Sequence, residues 1–90
     1  MSEATKTTIA KVYPSPTHGS ATLEVISPTD GKVNVQILDV MGRVVFSKIY
    51  PVYSGQNNIP VDLEEMSDGF YLVGVVDDKG KTSVVKLSKW

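Results

Sequence analysis

Residues 33–50 read VNVQILDVMGRVVFSKIY. Val33, Val35 and Ile37 alternate with Asn34 and Gln36, the period of a strand with one dry face and one wet face. Asp39-Val40-Met41-Gly42 follows, with a side chain able to accept backbone hydrogen bonds first and a residue free to take positive φ last. The chain therefore reverses into Arg43-Val44-Val45-Phe46, which makes the stretch a β-hairpin. A lone hairpin is marginal in water, so further strands must cover its dry face.

The flanking sequence supplies them. Upstream, residues 9–13 form a short strand, ended by a stiff corner in which Pro14 and Pro16 fix φ and Gly19 is expected to close the turn at positive φ. Residues 20–26 alternate again, with Ala21, Leu23 and Val25 on one face. Downstream, the second hairpin arm is expected to end at Pro51, and residues 56–63 place Ile59, Val61 and Leu63 on one side with Pro60 marking an edge strand. A crossing loop at residues 64–69 leads to FYLVGVV at 70–76, the most apolar run, read as a central strand with Tyr71, Val73 and Val75 on one face. Asp77-Asp78-Lys79-Gly80 is a tight turn into a last strand with Val85 and Leu87 inward. Seven short strands spaced by turn residues predict a seven-stranded antiparallel immunoglobulin-like β-sandwich. The predicted core is Leu23, Val35, Ile37, Val61, Leu63, Tyr71, Val73, Val75 and Val85. Tyr71, two residues after Gly69, is the candidate for the tyrosine corner of such folds.

Ninety residues suit one domain, read as a leader at 1–8 and a sandwich at 9–90. Hydrophobic residues make up 41% and charged residues 21%, with a net charge of −1 and no basic stripe, which argues against nucleic acid and anionic membrane surfaces. The lack of cysteine removes disulfides and thiolate metal sites. The polar opening has no signal-peptide pattern and no segment has the length of a membrane span, so a fragment of a larger protein is the favoured reading.

Little in the chain offers chemistry. His18, the only histidine, reads as an exposed turn residue. Asp62, Glu64, Glu65 and Asp68 lack calcium-loop spacing and read as a solvated loop. Gly74 is assigned to packing beneath a bulky neighbour, Phe46 or Trp90. Tyr50, Tyr53 and Trp90 are the residues a sugar-stacking platform would use, which keeps a carbohydrate-binding or spacer module of a polysaccharide-degrading enzyme as the alternative role. No nucleophile, base or metal set can be assembled, so the expectation is a monomer that is not an enzyme and binds no cofactor or metal.

Four stretches in order, VYPSPT at 12–17 with Gly19, DVMGRVV at 39–45, GFYLV at 69–73 and VKL at 85–87, resemble the type A C-terminal sorting domain of the Bacteroidota type IX secretion system. The likeness runs from about residue 9 to 89 and rests on Pro14, Pro16, Gly19, Asp39, Gly42, Gly69 and Tyr71, with Ser15 standing where the family usually carries Asn. The resemblance implies an address without catalytic activity. It implies a covalently fused N-terminal cargo, passage through the periplasm and the outer-membrane translocon to the cell surface or beyond, and removal by a surface sortase near residues 2–8. It also implies that the terminal strand is what the machinery reads, with Leu87 expected inward and Lys86 and Lys89 expected to point outward as a cationic contact.

Overall fold

A computed structural model describes residues 7–90. It is all-β: β1 (Thr8–Tyr13), β2 (Ser20–Ser27), β3 (Gly31–Leu38), β4 (Val44–Val52), β5 (Gly55–Asp62), β6 (Gly69–Asp77) and β7 (Thr82–Lys89). Two antiparallel sheets, ordered β1-β2-β5 and β4-β3-β6-β7, face each other as an immunoglobulin-like sandwich. The chain changes sheet between β2 and β3, β4 and β5, and β5 and β6.

The alternation puts every second residue into one core. Leu23, Val25, Val35, Ile37, Leu63, Val73, Val75 and Leu87 are fully enclosed. Of the predicted core, Val85 alone is only partly buried, packing at the margin. Ile9 and Val12 have the wrong spacing to share a face on a regular strand. Both nevertheless pack toward the core, because a bulge between Ile9 and Lys11 leaves Ala10 unpaired and resets the phase.

The end of β4 and the start of β1 differ from expectation. β4 runs through Pro51 to Val52 instead of stopping, since β4 is an edge strand and β3 is its sole sheet neighbour, so no ladder donor is missed on the outer side. Pro60 likewise sits on an edge strand, β5. The strand expected from Ile9 opens one residue earlier, at Thr8, and Thr7 is buried with its hydroxyl 3.4 Å from that of Ser27. The rest of the expected leader, residues 1–6, lies outside the described residues.

Candidate recognition end of the sandwich

Antiparallel succession sends alternate connections to opposite ends. The β1–β2 corner, the β3–β4 turn, the β5–β6 crossing and the end of β7 fall at one end, so the four motif stretches come together there. The opposite end holds Thr7 and the β6–β7 turn.

The corner is bolted to the last strand. Thr17, fully buried, donates its amide to the Ser88 carbonyl at 2.8 Å and accepts the Trp90 amide on its own carbonyl at 3.0 Å, a parallel bridge flanking Lys89. The Thr17 hydroxyl donates to the Ser20 carbonyl at 2.6 Å and accepts the Gly19 amide at 3.1 Å, so its polar atoms are satisfied inside the corner. The Gly19 carbonyl accepts the Leu63 amide at 2.8 Å, tying the corner to the crossing. Pro14 and Pro16, both after cis peptide bonds, stay exposed. His18 is exposed as expected, with Nδ1 2.9 Å from the Trp90 carbonyl oxygen. The need for glycine at 19 is not the expected one. Its φ is not positive; a Cβ there would lie 2.7 Å from Cγ of the exposed Glu64, so a side chain at 19 would require the Glu64 side chain to move aside.

The β3–β4 turn forms as read. Gly42 has φ 84°, its amide donates to the Asp39 carbonyl at 3.0 Å, and Asp39 Oδ1 accepts the amides of Met41 and Arg43 at 2.9 and 3.0 Å. Arg43 Nε donates to Oδ2 at 2.9 Å. The Arg43 amide, with the smaller help of its guanidinium and the Met41 amide, outweighs desolvation and holds the Asp39 carboxyl below its ordinary 3.8. The β6–β7 turn repeats the design, with Gly80 at φ 84° and Asp77 Oδ1 accepting the Lys79 and Lys81 amides at 2.9 Å.

Across the crossing, Tyr71 is buried and its hydroxyl donates to the Ser67 carbonyl, the expected tyrosine corner. It closes the loop whose Met66 amide bonds the Leu63 carbonyl at 2.9 Å. Asp62, Glu64, Glu65 and Asp68 are exposed on that loop, Asp62 Oδ1 accepting the Glu64 amide. Among the described residues no three His, Asp or Glu side chains converge as metal ligands.

The terminal lysines divide, which corrects the expectation that both point outward. Lys86 is exposed, its Nζ 5.8 Å from the centre of the Phe70 ring. Lys89 is 8% exposed: it shares the inward face with Leu87 because strand side chains repeat every two residues. Its Nζ donates to the Met66 carbonyl at 2.8 Å and lies 3.5 Å from Asp68 Oδ1. The half-buried Met66 and the buried Thr17, on which the last strand depends, were not singled out. A threonine in a Pro-Ser-Pro corner has no local signal that distinguishes a clamp from a turn residue.

One other expectation falls. A Cβ on Gly74 would meet Val84 at 3.8 Å, ordinary contact, so neither Phe46 nor Trp90 lies over it. Tyr50 is half-buried with its hydroxyl 3.3 Å from the Pro60 carbonyl oxygen, Tyr53 follows β4 at the far end, and Trp90 meets Phe70 edge-on at 5.5 Å. The three aromatics share no platform.

Residues 11–89 match the family described as the secretion system C-terminal sorting domain, a span holding all four motif stretches. The chain belongs to this family. Sorting domains of this type serve the type IX secretion system, usually in Bacteroidota, and mark a protein for export across the outer membrane to the cell surface or the medium. No curated protein matches the chain. Among solved structures, the crystal structure of a Se-Met labelled beta-glucosidase from Kluyveromyces marxianus is similar, with a TM-score of 0.62 at 16% identity. The match covers 94% of the sorting domain and 14% of that chain, and at this identity it shows the fold alone.

Proposed function

We propose that this sorting domain directs a covalently attached N-terminal cargo through the type IX translocon to the cell surface, where a surface sortase component removes it, and that it acts as a monomeric address with no catalytic activity of its own. The observation that carries this reading is the end of the sandwich that the segments bearing Pro14, Pro16, Gly19, Asp39, Gly42, Gly69 and Tyr71 share with the end of β7, where the Thr17 corner bridges the last strand. A signal read as folded shape needs its terminal strand held in one geometry, and the Thr17 bridge and Lys89 provide that. In this reading Leu87 anchors the strand, Lys89 locks it, and Lys86 is the cation offered to the machinery. Cleavage falls in the leader ahead of the buried Thr7, since Thr7 and Thr8 already belong to the sandwich.

A reporter fused ahead of Met1 in a type IX-competent host tests it. The intact domain should deliver the reporter to the cell surface, and removal of residues 86–90 should leave it inside. Equal surface delivery by the truncated domain would overturn the reading.

A further inference from the structure

The outer face of the β4-β3-β6-β7 sheet is apolar where it meets the recognition end. Register places Val44, Leu38, Leu72 and Lys86 in one cross-strand row, with Phe70 and then Trp90 beside it. Phe70 is 50%, Leu72 45%, Val84 54% and Trp90 51% exposed, far more apolar surface than a solvated strand face needs. A groove of about 390 Å³ opens between this face and the β3–β4 turn, lined by Phe70, Leu72 and Lys86 on one side and by Asp39 and Val40 on the other. No Asp or Glu occupies an outward strand position of this sheet among the described residues, and no carboxylate lies within ion-pair distance of Lys86. The remaining outward cation, Lys32, sits at the far end of the face.

We propose that this face is a docking surface for a protein segment that is apolar and carries a carboxylate opposite Lys86. Charge complementarity selects the occupant. A second copy related by a two-fold axis would bring the same patch against itself, where Lys86 would meet only Asp39 of the groove, whose Oδ1 already accepts the Met41 and Arg43 amides and whose Oδ2 accepts Arg43 Nε. An anionic lipid surface needs a cluster of basic residues, and this end of the face has one. An apolar segment with one acid satisfies both the desolvated rings and the lone ammonium. The inference rests on the export reading and names the chemistry of the partner on the machinery.

The test uses the full domain fused to the reporter in a competent host, with Lys86→Glu, Lys86→Arg and Leu72→Ser, and a photoreactive benzoylphenylalanine at position 72 or, as control, at Thr22 on the other sheet. Urea melts of the purified variants check folding. Lys86→Glu should reduce surface reporter about ten-fold or more, the order expected when one member of a desolvated charge pair is reversed, while Lys86→Arg retains export. Crosslinking from position 72 should give one protein adduct, absent from position 22 and lost with Lys86→Glu. Failure of the unaltered domain to export would overturn the export reading itself. With wild-type export intact, normal delivery by folded Lys86→Glu and Leu72→Ser would sink the docking inference alone. So would an adduct that is a dimer of the domain, or cosedimentation of the purified domain with phosphatidylglycerol vesicles that Leu72→Ser abolishes.

Discussion

Replacing Lys89 by Met separates a lysine that holds the fold from one that faces solvent. Met keeps most of the aliphatic stem, so the strand's packing against the crossing survives, and what is removed is the ammonium. That ammonium donates to the Met66 carbonyl at 2.8 Å from a side chain that is 11% exposed. A hydrogen bond with one charged partner is worth about 1.5–3 kcal/mol. Burying the ammonium works against it, and a carbonyl at the protein margin regains some water, which brings the expected net loss to about 1–2 kcal/mol. In a domain of this size that lowers the melting temperature by about 5–10 °C. Asp68 contributes little, because its side chain is 63% exposed and 3.5 Å away, and Asp68→Asn should stay within about 0.5 kcal/mol. Lys86→Met should do the same, since its ammonium is exposed with only the Phe70 ring beside it. Urea unfolding of the three variants at pH 7 decides the matter. If Lys89→Met and Lys86→Met unfold at the same midpoint as the wild type, the buried contact is not formed in solution and the last strand is held by other means.

Val73→Ala empties a fully enclosed site in the central strand and should cost about 1–3 kcal/mol in urea melts; a loss near zero would mean the inward phase of β6 is misassigned. Tyr71→Phe removes the hydroxyl donated to the Ser67 carbonyl and should cost about 1 kcal/mol with the m-value unchanged, whereas an unaltered midpoint would show that the corner bond adds nothing. Acid should weaken the fold through the two turn carboxylates. For Asp77, desolvation is the largest influence and raises the pKa, but amide bonds from Lys81, Lys79 and Thr7 with the Lys79 charge together prevail and hold it below 3.8, as the Arg43 amide does first of all for Asp39. Because the folded values are depressed, the unfolded chain binds more protons, so this contribution is whole above 3.8 and is lost as pH falls through the lower folded values. Asp39→Asn/Asp77→Asn should therefore flatten the fall in urea midpoint below about pH 4, and a slope equal to that of the wild type would refute the assignment.

What the sequence determined by itself was everything whose cause lies within a few residues or within one period. Alternation in β2, β3, β5 and β6 marks the dry face because each of those strands covers a single core, and most of the predicted core follows. The Asp39 and Asp77 turns were legible because each carboxylate accepts amides two and four residues ahead, and the Tyr71 corner because its acceptor is four residues back. The tertiary structure decided the rest. The bulge at Ala10 is a property of pairing with β2 and leaves no mark in the letters. Period two already put Lys89 on the same face as Leu87, yet a lysine is buried only where an acceptor meets it, and that acceptor, the Met66 carbonyl, arrives from the β5–β6 crossing. Thr17 becomes a clamp for the same reason: its partners Ser88 and Trp90 are at the far end of the chain, and only the closing of one sheet on the other brings them within hydrogen-bond reach.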